Sequence, residues 1–133
     1  MKRRSGYLFA VSLLALAGCA STKQFVPEAS VREVSAERAV IAVERKPSVP
    51  GNVRTVTVED NGKAVGEVAR CGKITWERPA GDMKLTLSKS FGMVSGDAAT
   101  VEASVQAGTV YKYYVVWSEE KRSFILVGEG ESP

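Results

Sequence analysis

Two cysteines carry the most reactive side chains of this 133-residue chain, which contains no histidine. Without histidine, neither a Ser-His-Asp triad nor a Cys-His pair can form, and no imidazole can ligate a metal ion. Cys19 follows an apolar run and the small residues Ala17 and Gly18, whereas Cys71 directly follows Arg70. The two thiols therefore stand in different chemical settings and have different predicted roles.

Residues 1–18 have the layout of a secretory signal peptide. Basic residues follow Met1, and the segment from Tyr7 to Leu16 is apolar apart from Ser12. A basic start, a short apolar run and small residues after it are typical of such a peptide. The run is too short to cross a bilayer comfortably, which takes about 20 apolar residues. The pair Arg3-Arg4 is compatible with twin-arginine export, but no bulky apolar pair follows it, which favours the general secretory route.

The residues Leu16-Ala17-Gly18-Cys19 resemble the lipobox of bacterial lipoproteins. In such a box the small residues let a membrane-embedded peptidase approach the backbone, and the leucine fills an apolar subsite. The resemblance implies that the Cys19 thiol takes a diacylglycerol thioether, that residues 1–18 are removed, and that the new amino group is acylated. Inner-membrane lipoproteins of enteric bacteria have Asp after this cysteine, whereas Ala20 follows here. The resemblance therefore implies the outer membrane, with the protein facing the periplasm.

The charge balance changes when the signal peptide is removed. The chain has 18 basic and 15 acidic residues, and residues 1–18 hold three of the basic ones and no acid, so 15 of each sign remain. A net charge of zero with mixed signs predicts neither nucleic acid binding nor a polybasic membrane patch. Two or three acyl chains anchor a protein stably where one does not. We therefore expect the lipid on Cys19 to attach the protein to the membrane.

Cys71 has no cysteine partner within its own chain once Cys19 carries lipid, although the compartment is oxidising. We expect a shielded thiol in a turn or strand. The alternatives are a reactive thiol, activated by the nearby cations Arg70 and Lys73, and a disulfide between two copies of the chain.

From Arg38 onward, short apolar stretches alternate with turn residues, and no stretch has the length and period of a long helix. This pattern predicts an all-β fold. We expect residues 38–133 to form an antiparallel β-sandwich of about eight short strands, with a small closed β-barrel as the alternative. Residues 19–37 have no clear period and are expected to form a flexible tether between the lipid on Cys19 and this domain. The predicted strands are Ala39–Val43, Val53–Val58, Lys63–Val68, Ile74–Glu77, Met83–Ser88, Thr100–Gln106, Val110–Trp117 and Phe124–Val127.

The strands Thr100–Gln106 and Val110–Trp117 carry the largest apolar load, and the turn Ala107-Gly108 joins them. We expect them to form a central hairpin. Because side chains alternate along a strand, one face of the second strand is aromatic. Its residues are Tyr111, Tyr113, Val115 and Trp117. We expect this face to fill the core; the alternative is an exposed stripe that stacks on sugar rings or a peptide. Trp76 has the same two interpretations.

Three motifs occur in a recognisable order. They are a β-branched strand with an Asn61-Gly62 turn and a small-residue strand (Val56 to Gly66), a Pro79-Ala80-Gly81 turn, and the entry Ala107-Gly108-Thr109-Val110-Tyr111 to a strand. In order and spacing they resemble small bacterial lipoprotein domains of unknown function, related to PEGA-type and transthyretin-like β-sandwiches. The resemblance spans roughly residues 39–127, implies the same fold and brings no catalytic residues. Lys112 stands where that family tends to have a second Tyr.

The ionisable residues offer little for catalysis. Asp60, Asp82 and Asp97 each adjoin Gly or Asn in a predicted turn, where an Asp side chain bonds its own backbone. The Asp-x-Asp-x-Asp spacing of a calcium loop is missing. In Ser88-Lys89-Ser90, neighbouring side chains point to opposite faces, which disfavours a Ser-Lys pair. We therefore predict a protein that is not an enzyme and has no cofactor and no metal site.

Two functional hypotheses remain. The first is a non-catalytic binding or assembly module of the cell envelope, which contacts another envelope protein through a sheet edge or a loop. The alternative is a ligand-binding or enzyme-inhibitor lipoprotein that acts through an apolar loop at residues 89–96, where Phe91 and Met93 flank Gly92.

Overall fold

The computed structural model describes residues 22–47, 55–89, 99–121 and 123–129, and this part of the chain is built from β-strands. The strands are β1 (Lys23–Gln24), β2 (Arg38–Arg45), β3 (Thr55–Asp60), β4 (Lys63–Ala69), β5 (Lys73–Pro79), β6 (Gly81–Lys89), β7 (Thr100–Val105), β8 (Val110–Ser118) and β9 (Ser123–Gly128).

The nine strands form two sheets, neither of which closes into a barrel. The first sheet has the order β1-β4-β3-β6-β7, and the second has the order β5-β2-β8-β9. This architecture confirms the predicted β-sandwich. Strands β2 to β9 correspond to the eight predicted ones, and β1 is an addition that lies in the segment expected to be a tether.

Two features of the topology differ from the expectation. Strands β2 and β8 pair in parallel, with Val43 opposite Tyr113, whereas the other pairs are antiparallel. Strands β7 and β8 do not form a hairpin: β7 is the edge of the first sheet, and β8 lies inside the second. The prediction of a central β7–β8 hairpin was therefore wrong. A strand with one apolar face can bury it from either sheet, so its pattern does not say which sheet it joins.

The β3–β4 hairpin forms as the sequence predicts. Asn61 has φ 49° and Gly62 has φ 83°, the two positive values that a tight hairpin turn requires. The Asn61 side chain also bonds β6, because its Oδ1 accepts from the Lys84 amide at 2.8 Å and its Nδ2 donates to the Asp82 carbonyl at 3.2 Å. The hairpin turn is thereby tied to β6 beside it.

Apolar side chains from both sheets fill the space between them. The aromatic face of β8 lies on this side, since Tyr113 and Val115 are buried and Tyr111 and Trp117 pack against the core. The core interpretation of that face is confirmed, and Trp76 is buried as well. The buried core residues are Ala39, Ile41, Val43, Val56, Val58, Val65, Val68, Ile74, Trp76, Met83, Leu85, Leu87, Val105, Tyr113, Val115, Phe124 and Leu126.

An ion pair between Asp60 of β3 and Arg78 of β5 joins the two sheets at one end of the sandwich. The Arg78 Nε lies 2.9 Å from Asp60 Oδ2, and the two side chains are only 9% and 10% exposed. The same carboxylate oxygen accepts the Trp76 indole N–H at 2.9 Å. The remaining guanidinium nitrogens donate to the carbonyls of Pro79 and Asp82. Asp60 was expected to serve turn chemistry; instead it binds groups of the opposite sheet.

Replacing Arg78 by Met should destabilise the domain by about 3–5 kcal/mol, because it leaves the Asp60 carboxylate buried without its cation. The measurement is urea unfolding followed by tryptophan fluorescence. Arg38→Met is the matched control, since Arg38 pairs with Glu77 at 3.7 Å with side chains 47% and 39% exposed. Such a surface pair is worth about 0–1 kcal/mol. Equal losses for the two variants would contradict the assigned role of Asp60.

Candidate functional site

The residues assigned to lipid attachment lie outside the described part of the chain. They are Leu16, Ala17, Gly18 and Cys19, and the loop residues Phe91 and Met93 lie outside it too. The described structure begins at Thr22, three positions after Cys19. The contacts of Thr22 and the residues after it therefore decide how the sandwich is connected to the predicted anchor.

Residues 22–37, here called the N-terminal arm, lie against the sandwich. Lys23 and Gln24 pair antiparallel with Glu67 and Gly66 of β4. The Phe25 amide then donates to the Val65 carbonyl at 3.0 Å. The structure thus differs from the expectation of a free tether over residues 19–37, because the described portion of that range starts with an edge strand of the first sheet.

The arm also bonds the edge of the second sheet. The Gln24 side chain pairs with the backbone of Thr75 in β5: its Nε2 donates to the carbonyl at 2.5 Å and its Oε1 accepts from the amide at 3.5 Å. Ala29 repeats this pattern with its own backbone, donating to the Thr75 carbonyl at 3.1 Å and accepting from the Thr75 hydroxyl at 2.8 Å. One segment therefore bridges the neighbouring edges β4 and β5 and satisfies backbone groups of both.

Two glycines make room for this docking. A Cβ at Gly66 would stand 2.6 Å from the Lys23 carbonyl oxygen and 3.1 Å from Ile74 Cδ1. A Cβ at Gly72 would collide with the Thr22 hydroxyl and lie 2.9 Å from the Ala69 carbonyl oxygen. Because neither contact is compatible with a larger residue, the close approach of the arm depends on glycine at both positions.

The turn from Ala69 to Gly72 connects the sheets beside the start of the arm. The Gly72 amide donates to the Ala69 carbonyl at 2.8 Å, and the Ala69 amide donates to the Thr22 hydroxyl at 3.1 Å. Cys71 has φ 63°, a left-handed conformation that a non-glycine residue rarely adopts. Its thiol is exposed, so the prediction of a shielded thiol was wrong.

Beneath this turn, Arg45 extends from β2 into the core. It is 1% exposed, its guanidinium carbon lies 4.8 Å from the centre of the Phe124 ring, and its Nη1 donates to the Val68 carbonyl at 3.4 Å. Burial lowers the pKa of Arg45 from its ordinary value and neighbouring Arg70 lowers it further, while Cys71 acts in the opposite direction. The buried Arg45 guanidinium thus lies beneath the turn that carries the exposed Cys71 thiol.

Other candidate side chains in the described residues either bond structural partners or line an open surface groove. Asp60 and Trp76 belong to the inter-sheet ion pair, and the carbonyl of Asp82 accepts from Arg78. A shallow groove of about 540 Å³ is lined in part by Asp82, Lys84 and Glu102, whose charges alternate.

Within the described ranges, no three acidic or cysteine side chains are grouped to hold a metal ion. Over the same residues, no helix is long and apolar enough to cross a membrane.

Comparisons with known proteins give a distant structural likeness and no family. No family model and no curated protein matches the chain. The chain is similar to the NMR structure of a protein from Eubacterium rectale, with a TM-score of 0.48 and 16% identity over 72% of this chain and 92% of that one. The resemblance to PEGA-type and transthyretin-like domains stays a prediction.

Sequence reasoning missed the residues that seat the arm: Thr22, Gln24, Gly66 and Gly72. One signal was present, since a glycine inside a strand, as at Gly66, often marks the close approach of another backbone. The side-chain pairing of Gln24 with Thr75 left no comparable trace, because a single Gln in a polar stretch has no periodicity.

Gly66→Ala should release the start of the arm, because the new methyl group would enter the space of the Lys23 carbonyl. Limited trypsin digestion with mass spectrometry should then show faster cleavage after Lys23. Gly62→Ala is the control: it strains a positive-φ turn at a cost of about 1–2 kcal/mol but has no neighbour within 4 Å. If both variants expose the Lys23–Gln24 bond equally, the effect is general destabilisation and the steric role of Gly66 is refuted.

Proposed function

We propose that the protein is an outer-membrane-anchored periplasmic lipoprotein whose β-sandwich is a non-catalytic binding or assembly module of the envelope. The observation that carries the proposal is the position of the arm. Thr22 is bonded to the sandwich by Ala69, and it stands three residues after the cysteine of the lipobox. The domain would therefore be held directly at the membrane by its anchor.

A short connection suits a module that has to stand in a fixed place. A long flexible tether lets a domain search a wide volume, whereas here Ala20 and Ser21 alone separate Cys19 from Thr22, which is bonded to the sandwich. The hydrogen bonds of Gln24 and Ala29 to Thr75 continue the attachment across both sheets. The anchor would hold the sandwich in a fixed position at the membrane, whereas a flexible attachment would let it move through the periplasm.

The second sheet offers an edge for a protein partner. Strand β9 pairs with β8 on one side, and no other described strand pairs with its second side. Its sequence, Ser-Phe-Ile-Leu-Val-Gly, carries no charge, whereas the other sheet's edge strand β7 carries Glu102. Charged side chains protect edges from strand addition, so the uncharged β9 is the edge on which an envelope protein would add a strand.

The alternative, a ligand-binding or enzyme-inhibitor lipoprotein, depends on the apolar loop at residues 89–96. Its residues Phe91 and Met93 lie outside the described structure. No contact in the described residues favours it over the assembly module.

Cys19→Ser should abolish lipid attachment and leave the precursor unprocessed, because the thioether forms on that thiol. Metabolic labelling with an alkyne fatty acid and intact-mass measurement test both effects. Cys71→Ser is the matched control and should label like the wild type. Equal labelling of the Cys19→Ser variant would refute the proposal.

A photo-crosslinking amino acid at Ser123, at the start of β9, should capture one stoichiometric envelope protein in intact cells. The same amino acid at Lys112, an exposed position on the outer face of β8, serves as the control. Capture of a lytic enzyme would support the inhibitor alternative, and equal capture from both positions would refute docking on β9.

A further inference from the structure

We infer that one corner of the sandwich lies against the anionic phospholipid headgroups of the membrane that holds the anchor. This corner, here called the basic corner, comprises Thr22, Lys23, Lys46 and residues 69–73. The inference rests on the proposed function, because it takes the lipid on Cys19 as given. It adds the orientation of the domain and the chemistry of the surface that meets the bilayer.

The length of chain between anchor and fold restricts the distance of this corner from the membrane. Only Ala20 and Ser21 lie between Cys19 and Thr22. A fully extended chain advances at most about 3.3–3.6 Å per residue, so the three steps from Cys19 to Thr22 span roughly 10 Å. The headgroup region of one leaflet is about 5–7 Å thick. The turn at Ala69, whose amide bonds the Thr22 hydroxyl, therefore lies within or directly above the headgroups.

The charge of the corner matches an anionic surface. Four cations are exposed in it, and two half-buried carboxylates, Glu44 and Glu67, stand opposite Lys73 and Lys23 in the strand registers. The exposed cations are Lys23, Lys46, Arg70 and Lys73. Basic residues close to an anionic membrane surface are attracted to it.

The sequence predicts no polybasic patch, because these cations are spread over fifty residues of a chain with balanced charge. The fold brings them together: β1 pairs with β4, and Lys73 follows the β4–β5 turn. The β8–β9 turn, at the far edge of the same end, carries Glu119 and Glu120 beside Lys121 and Arg122 in the sequence, so its formal charges cancel. The charge distribution therefore favours the basic corner, over the rest of that end, as the part that contacts the bilayer.

The natural chain supplies its own probe position. With Cys19 lipidated, Cys71 is the remaining cysteine, and its exposed thiol lies in the basic corner. Ala107 is exposed at the opposite end, beyond the nine-residue strand β8, which spans about 30 Å. The lipidated protein would be purified, labelled with a fluorescent dye at Cys71, and reconstituted into vesicles of phosphatidylcholine and phosphatidylglycerol that contain a headgroup-nitroxide lipid. The comparison protein carries the dye on Ala107→Cys in a Cys71→Ser background.

The dye at Cys71 should lose most of its fluorescence to the headgroup quencher, and the dye at position 107 should keep most of it. The charge reversals Arg70→Glu and Lys73→Glu should reduce quenching at Cys71. The anionic headgroups then repel the basic corner, which moves as far from the bilayer as the segment between Cys19 and Thr22 allows. Inserting ten Gly/Ser residues between Ser21 and Thr22 should reduce quenching as well, since the domain can then move away.

Two failures are distinguishable. If mass measurement finds no lipid on Cys19, the proposed function is refuted. If the protein is lipidated but the two dyes are quenched equally, or quenching at Cys71 is unchanged by the charge reversals, the inferred contact with headgroups is overturned while the anchored function stands.

Discussion

The edges of the two sheets must find partners for their backbone amides and carbonyls, and one pair of neighbouring edges finds them in the N-terminal arm. Exposed edges invite pairing with other chains. Here β1 covers β4, and Gln24 and Ala29 bond Thr75 of β5. The arm thus provides hydrogen-bond partners for these edges, as a further strand would in a larger sheet, and does so through its backbone and the Gln24 side-chain amide. Its place in the fold in turn determines where the chain leaves the sandwich toward Cys19.

The ends of the sandwich are held by charged groups that would be costly to bury alone. At one end, Asp60 binds Arg78 and Trp76 across the two sheets. At the other end, Arg45 stacks on Phe124, whose ring meets Trp117 edge-on at a centroid distance of 5.2 Å. A buried charge without a partner is strongly destabilising. These contacts therefore restrict how the sheets can shift relative to each other.

Local signals in the sequence predicted the elements well and their arrangement poorly. Alternating apolar residues located eight strands, and Asn61-Gly62 located a hairpin turn, because both signals arise within a few neighbouring residues. The sheet that β7 joins, the parallel pairing of β2 with β8 and the ion pair of Asp60 depend on residues far apart in the chain. A strand of period 2 is compatible with either sheet, and an Asp next to Asn is equally compatible with a turn.

At the candidate site, too, the sequence predicted the local feature and missed the long-range one. Cys19 was assigned from a local motif, whereas the arm that leads from it to the sandwich has too little apolar surface to be recognised as structure. Its stability comes from hydrogen bonds to edges, and the partners of those bonds stand some 40 to 50 positions away in the chain. Gly66 was the one sequence signal of that docking, and it was also compatible with an ordinary strand.

Amide hydrogen exchange measured by NMR tests most directly whether the arm belongs to the fold. The lipid-free chain starting at residue 20 is the sample. The amides of Phe25, Ala29 and Ala69 are the reporters, because the first two donate hydrogen bonds from the arm to the sandwich and the third donates one from the sandwich to the arm. The structure predicts that all three exchange far more slowly than in an unstructured peptide, with protection close to that of amides inside β4. Exchange of Phe25 and Ala29 at the rate of an unstructured peptide would contradict the docked arm, and with it the short connection on which the proposed anchoring depends.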